Sequence, residues 1–468
     1  MSPTSDIFDV LVIGGGPGGY AAALYGASAG LSVAVVEKEK VGGTCLHRGC
    51  VPAKEFLETA AAFRGVLGAS EYGISAAEAK IDFSVSQARK QKVVDQLWKG
   101  LSGLMKGRKI EIIEGVGKYV GNGRVEVSDG RVLEGQNVIL ASGSLPRSIP
   151  GFEVDGKIVM TSDEVLSLES LPSSVAVIGG GAIGCEFASM MADLGAKVTV
   201  LEVLPQILTG VDKDVADVVL KSFRKRGINV HVGVPVSGHT PNSDSSGTIV
   251  HFGDEQSVPV EAVIVSVGRR PNSDGLLGDG ASVDVDQRGF VTVDEYMRTT
   301  EQGVYAVGDL VATAQLAHVG FAEAIVAIKR ILGEQVVPVD YSKLPWCIYC
   351  HPEVAFAGLT EEAARASGMD IVVKKDPFGG NSRARIIGET DGLVKVIAEK
   401  LPNGSAGRIV GVHMVGPWVT EQLGQGYLAV NWEATPEEIS QFIQPHPTLS
   451  EAFGETVLAL TGRGLHVG

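Results

Sequence analysis

Aromatic residues are scarce in this sequence, at 6% of 468 residues, and cysteine is scarcer still, with five in the whole chain. Five cysteines over this length do not build the framework of a small secreted domain, and a disulfide that forms in a reducing compartment is usually a working one. Positive charge is in deficit. Forty Lys and Arg against 55 Asp and Glu leave a net charge of −15, whose field repels phosphate backbones and anionic lipids, so neither nucleic acid nor a membrane surface is an expected partner. Long hydrophobic runs are missing too. The start, Met1 to Phe8, has no basic stretch, and the apolar run Val10 to Ile13 is far short of a signal or membrane-spanning segment, so a cytoplasmic protein is expected. What is abundant is glycine, 61 residues, alongside 44% apolar residues. That mixture fits close-packed βαβ units with many tight turns, hence the α/β class, and the length points to about three domains.

The chain contains an internal repeat. Val10-Leu-Val-Ile-Gly14-Gly-Gly16-Pro-Gly18-Gly19 is an apolar run opening onto Gly-x-Gly-x-x-Gly, followed by an Ala-rich helical stretch and a second apolar run ending at Glu37 and Lys38. The same order returns at Val175-Ala-Val-Ile-Gly179-Gly-Gly181-Ala-Ile183-Gly184, ending at Glu202. Gly14, Gly16, Gly19 and Glu37 are each displaced by 165 residues onto Gly179, Gly181, Gly184 and Glu202. One such glycine pattern is a weak signal, but two in phase, each with an acid 23 residues beyond its first glycine, indicate two dinucleotide sites. The glycines make the turn and admit the pyrophosphate to the helix N-terminus, while the acid accepts from a ribose hydroxyl. A hydride carrier needs an acceptor held against it, so two different dinucleotides are expected, with FAD and NAD(P) the usual couple.

A second echo, Val138-Ile-Leu-Ala141-Ser142-Gly143 against Val263-Ile-Val-Ser-Val267-Gly268, is displaced by only 125 residues. The first unit therefore holds about 40 extra residues, and residues 42–80 are the natural place for them. That insertion carries Gly43-Thr44-Cys45-Leu-His47-Arg48-Gly49-Cys50-Val-Pro52-Ala-Lys54. In a regular helix cysteines five residues apart have Cα atoms roughly 8 Å apart, beyond the disulfide limit near about 7 Å, so a bonded pair requires an irregular first turn. Gly49 and Pro52 permit one. A cysteine at such a helix start has a depressed pKa. Spacing alone also allows two ordinary reduced cysteines, and Lys54 a solvated helix lysine.

The motif Gly-Gly-Thr-Cys-x4-Cys-x-Pro-x-Lys after a dinucleotide fingerprint resembles the pyridine nucleotide-disulfide oxidoreductases, and the likeness runs over nearly the whole chain. The resemblance implies two Rossmann-like domains for FAD and NAD, a central region completing the FAD site, and a C-terminal α+β dimerisation domain. The implied division is 1–151, 152–273, 274–345 and 346–468. It makes Cys45 the interchange thiol, Cys50 the thiolate facing the flavin, and Lys54 the partner of Glu186. Gly43, Thr44, Gly117, Ala141, Ser142, Gly143 and Asp309 would line the FAD site, with Gln315, Leu316, Ala317 and His318 at the flavin edge and Gly268 on the nicotinamide side. The family usually carries Asn where His47 stands and an apolar residue where Arg48 stands, so the extra cation bears on redox poise.

Near the C-terminus, Pro445-His446-Pro447-Thr448-Leu-Ser-Glu451 pins a histidine between two prolines, which suits a positioned base. Thr448-x-x-Glu451 also reads as a capping box. The resemblance makes His446 the base and Glu451 its orienting acid, with the histidine supplied by the opposite subunit, and so implies an obligate homodimer. Cys347-Ile-Tyr-Cys350 has no second pair at zinc spacing and is not expected to bind metal or act in redox chemistry; it marks where the last domain begins.

Glu202 favours NAD over NADP, because a 2′-phosphate would meet a carboxylate at a cost of about 4 kcal/mol for unit charges about 4 Å apart. No basic residue follows in Val203-Leu-Pro-Gln206, unlike members that reduce glutathione disulfide, and no C-terminal cysteine pair is present, unlike members that reduce mercuric ion. The implied reaction is oxidation of protein-bound dihydrolipoyl groups with NAD+ as acceptor, the partners being lipoyl domains of a 2-oxoacid dehydrogenase or glycine cleavage complex. The alternative is NAD(P)H-dependent reduction of another disulfide, and from a different class, a silent flavin-binding scaffold.

Overall fold

The computed structural model describes residues 7–76, 78–242 and 247–467, so residues 1–6, part of the start read above for a leader, lie outside the described residues. Two sheets repeat one plan. In the first, the strands Glu111–Glu114, Val33–Glu37, Ile7–Ile13 and Val132–Leu140 lie side by side and parallel. In the second, Asn229–Val232, Lys197–Glu202, Ser174–Ile178 and Ala262–Val265 take the same order. Even the register repeats: Val10 pairs with Val33, and 165 residues on, Val175 pairs with Val198. Val10, Leu11 and Val12, like Val175, Ala176 and Val177, have no exposed surface, as strands covered on both faces require.

Gly14 and Gly179 end their strands at φ of +102° and +101°, where side-chain-bearing residues are strained, and each chain then enters a helix, Pro17–Ser28 or Ala182–Asp193. The two units differ after the second strand. The second crosses back by one helix, Lys213–Lys225, whereas the first inserts Gly43–Arg48 and Cys50–Leu67 before its crossover helix Phe83–Gly107. Val304–Ala306 later returns to extend the first sheet beside Val132–Leu140.

The C-terminal unit is a five-stranded antiparallel sheet, Pro345–Ile348, Glu353–Gly358, Ala406–Gly416, Leu393–Lys400 and Ile371–Pro377, packed by the helices Val419–Asn431 and Glu451–Leu460. One apolar cluster joins all three units, since Phe56 of the cysteine-bearing helix, Phe187 and Met190 of the second fingerprint helix and Ile348 and Phe356 of the C-terminal sheet share it. The cysteine segment is thereby fixed against both neighbours. Among the described residues no helix is long and apolar enough to cross a membrane.

Candidate active site

Each fingerprint builds an open anion seat. Gly16 and Gly181 are the N-caps of their helices, with no side chain capping the free amides. A Cβ on Gly181 would meet no protein atom within 4 Å, and one on Gly16 only the Gly43 Cα at 3.9 Å, so no protein atom fills the space that a pyrophosphate needs. Gly19 and Gly184 are glycines for another reason. A Cβ there would collide with the carbonyl oxygens of Gly14 and Gly179, which places both in helix-to-strand packing rather than in the cleft.

The two acids repeat as closely. Glu37 accepts from the Gly15 N–H at 2.7 Å and the Glu39 N–H at 2.9 Å, and Glu202 from the Gly180 N–H at 2.6 Å and the Leu204 N–H at 2.8 Å. Both carboxylates are thus held at the strand end.

The two seats open into one cleft of about 1150 Å3, larger than the ~300–1,000 Å3 of a typical single-ligand site. The first unit lines it with Gly14, Gly16, Gly18, Glu37, Lys38, Ala141, Ser142 and Gly143, and the second with Gly179, Gly181, Ile183, Glu186, Glu202 and Gly268. Gly43, Thr44, Cys45, Cys50 and Lys54 reach it from the inserted segment, and Asp309, Gln315, Leu316 and Ala317 from the returning strand and its loop. The buried Gln315 Nε2 has no protein partner, which leaves a donor for a bound ring or ribityl group. Open glycine seats, two anchored acids and an orphaned amide fit two dinucleotides.

Gly117 and His318 stand outside this lining. A Cβ on Gly117 would press on Val36 and Ile13 side chains, and His318 is exposed with Nε2 2.9 Å from the Pro345 oxygen, because the helix Ala317–Ile331 turns it outward.

Cys45 lies in the helix Gly43–Arg48 and Cys50 starts the helix Cys50–Leu67, with Gly49 between them at φ −145°, ψ −111°. The break supplies the irregular turn that the spacing demands. Both cysteines are free, and each acts on the acidity of the other. The Cys45 thiol, with Lys54 and a backbone amide helping against burial, lowers the Cys50 pKa to about 7; Cys50 and burial push Cys45 far up. The two shifts run in opposite directions, so the proton is favoured on Cys45 and the thiolate on Cys50. The other cysteines are poor nucleophiles: burial pushes Cys347 up to about 11 and raises Cys185 and Cys350 well above the ordinary value. No cluster of three or more potential metal ligands occurs among the described residues.

Lys54 sits one turn into the second of these helices and reaches both Glu186 oxygens, at 2.8 and 2.9 Å. Burial opposes the ammonium, but the Glu186 carboxylate outweighs it and holds Lys54 above the ordinary lysine value. Arg48, the unusual cation, also lines the cleft and pairs with Glu39 at 3.0 Å, and His47 puts Nε2 3.0 Å from the Val41 oxygen.

His446 and Glu451 are outside the cleft of their own chain. His446 Nδ1 is 2.8 Å from Glu451 Oε1, while Glu451 Oε2 accepts from the Thr448 N–H at 2.8 Å, so one carboxylate both caps the turn and orients the imidazole. The histidine is 69% exposed, beside Phe442 and Ile443 at 66% and 96%, an apolar surface that a second subunit would cover.

Ser144, Arg269 and Asn272 are among the cleft residues that escaped the sequence reading. Arg269 donates to Ser144 through Nε at 2.7 Å and lies 3.9 Å from Asp309, and Asn272 donates its N–H to the Gly143 oxygen at 2.9 Å. The short strands Ser144–Pro146 and Arg269–Pro271 pair antiparallel directly after the two echoed segments, and that shared position was the available signal.

Residues 8–324 match the family described as pyridine nucleotide-disulphide oxidoreductase, and residues 344–457 its dimerisation domain, which supports a homodimer. The chain is 41% identical to a dihydrolipoyl dehydrogenase of Bacillus subtilis, covering 98% of this chain and 99% of the relative, and 39% identical to one of Zymomonas mobilis, covering 99% and 100%. Among solved structures it is similar to LpdA from Mycobacterium tuberculosis, with a TM-score of 0.89, 27% identity and coverage of 96% and 99%. The HOCl-induced flavoprotein disulfide reductase RclA from Escherichia coli superposes with a TM-score of 0.86 at 26% identity over 96% and 99% of the two chains. The chain belongs to the pyridine nucleotide-disulphide oxidoreductase family.

Proposed function

We propose that this chain oxidises the dihydrolipoyl groups of a 2-oxoacid dehydrogenase or glycine cleavage complex in the cytoplasm, through Cys45 and Cys50. The chain is an FAD- and NAD-dependent dithiol/disulfide oxidoreductase, of the activity its full-length relatives carry. One observation carries the reading: both dinucleotide seats and both thiols open into a single cleft. The first fingerprint, with Asp309 and Gln315, would hold FAD, whose bound flavin would supply the two-electron relay between the dithiol and NAD+.

The work of the protein's own residues follows from the charge placement. A dihydrolipoyl thiol, deprotonated, attacks the Cys45 sulfur of the oxidised pair; the Cys45–Cys50 bond breaks and Cys50 leaves as the thiolate that Lys54 and the helix start favour. The second substrate thiol then displaces Cys45, closing the lipoyl disulfide and releasing the Cys45 thiolate. Two electrons have passed to the pair, and of the two substrate protons one returns to Cys45 and one remains on a base.

A base must take the first of these protons, because a dihydrolipoyl thiol attacks only as its thiolate. His446 of the partner subunit is the candidate, with Glu451 fixing Nδ1–H so that Nε2 is free to accept. Glu202, its carboxylate held by the Gly180 and Leu204 N–H groups, supports NAD as acceptor because a 2′-phosphate bound beside it would be repelled. A paired assay tests the reading: turnover of dihydrolipoamide with NAD+ supports it, and activity confined to NADPH with glutathione disulfide refutes it.

A further inference from the structure

Tyr349 stands against the ion pair that Lys54 and Glu186 form. The Lys54 Nζ lies 4.9 Å from the centroid of the Tyr349 ring, within the range of a cation–π contact, while Tyr349 donates its own N–H to Glu186 Oε1 at 2.9 Å. The residue therefore touches both members of the pair, one through its ring and the other through its main chain.

The main chain that carries the ring is held in place. Glu186, Ser189 and Asp193 lie along one face of the helix Ala182–Asp193, and this stripe fastens the segment carrying Tyr349. The His351 N–H donates to Ser189 Oγ at 2.9 Å, and Arg226, held by Asp193 at 2.6 Å, donates to the His351 oxygen at 2.6 Å. Asp193 also binds Arg64 at 2.6 Å, on the same helix as Lys54 and Cys50. Ring, carboxylate and ammonium are thus set by one rigid frame drawn from all three units.

We infer that Tyr349 is a positioning residue, whose ring face holds the Lys54 ammonium where it stabilises the Cys50 thiolate and keeps water from the ion pair. The charged or ionisable groups that act on the Cys50 sulfur include Cys45, Lys54, Glu186 and Tyr20, and Arg48 lines the same cleft while pairing with Glu39 at 3.0 Å. Lys54 is the cation that lowers the Cys50 pKa, so its placement bears on how far the thiolate is favoured over the thiol. Without the ring the ammonium gains room and solvent, its field at Cys50 weakens, and the thiol reverts toward its ordinary acidity.

The inference rests on the reading of Cys45 and Cys50 as the exchanging pair, but its test reads the titration of the thiol and not turnover. Failure here leaves that reading standing. In FAD-loaded Cys45→Ser protein the thiolate ultraviolet absorbance, taken as the difference from Cys45→Ser/Cys50→Ser, gives the Cys50 midpoint without the coupled partner. Tyr349→Phe keeps the ring and is expected to leave the midpoint in place. Tyr349→Leu fills similar space without a π face and is expected to raise it by about one pH unit, a tenfold weaker preference for the thiolate. Tyr349→Met carries the same expectation should the leucine variant not fold. Equal midpoints in the phenylalanine and leucine or methionine variants, or a shift in the phenylalanine variant, would overturn the inference.

Discussion

Lys54 and Glu186 stand 132 residues apart in the chain and meet as a two-point ion pair, Nζ to both carboxylate oxygens at 2.8 and 2.9 Å, beside the thiolate of Cys50. The two partners act on that sulfur with opposite sign. Lys54→Met is expected to raise the Cys50 pKa above its present value of about 7, and Glu186→Gln to lower it further. Loss of Lys54 also strands a nearly buried carboxylate, at about 1–3 kcal/mol of stability after allowing for solvent at the lysine end. Thiol titration and urea unfolding of the two variants check both signs; shifts in the same direction would contradict them.

The glycines divide into two kinds with different expected outcomes. Gly181→Ala adds a Cβ into open space, so the melting temperature should hold while KM for NAD+ rises tenfold or more, about 1.4 kcal/mol of lost binding. Gly184→Ala drives a Cβ into the Gly179 oxygen and should lower the melting temperature. Thermal scans beside steady-state kinetics separate the cases.

His446 is exposed in its own chain and absent from its own cleft. His446→Gln should cost about 10²- to 10⁴-fold in dihydrolipoamide oxidation, as loss of a general base does. The sharper consequence concerns mixtures. Homodimers of Cys45→Ser and of His446→Gln are each expected to be inactive, while dimers combining one of each regain one intact site. Refolded or coexpressed mixed dimers that stay inactive would place the histidine in the wrong subunit.

The acidity of Cys50 also predicts a pH-dependent stability. Its folded pKa of about 7 lies below the ordinary 9.0, so its contribution is complete above pH 9 and is lost as the pH falls through 7. Cys45, raised in the fold, works the other way above pH 9, where the unfolded chain ionises first. Between pH 7 and 9 the melting temperature of the dithiol protein should therefore rise relative to that of the disulfide protein. A flat or falling difference across that window would rule out the thiolate assignment.

The parts legible in the sequence were those written locally or twice. A strand, a glycine turn and a closing acid are contiguous, and their recurrence at a fixed displacement exposed the two dinucleotide folds, down to the matching register of Val10 with Val33 and Val175 with Val198. The need for a break between Cys45 and Cys50 followed from helix geometry, and Gly49 supplies it. Contacts made across the chain were not legible. Tyr349 looked like part of an unused C-x-x-C, because its role arises only when the C-terminal sheet packs on the helix bearing Glu186. His318 was placed at the cleft by position in a motif, whereas the phase of its helix decides where the side chain points.

The most direct measurement follows the electrons themselves. Oxidised protein is mixed with one equivalent of dihydrolipoamide without NAD+, quenched with an alkylating reagent, and mapped peptide by peptide. Cys45 and Cys50 are expected to become labelled together while Cys185, Cys347 and Cys350 stay as they were before mixing. Label gained at any of those three, or none at Cys45 and Cys50, would contradict it.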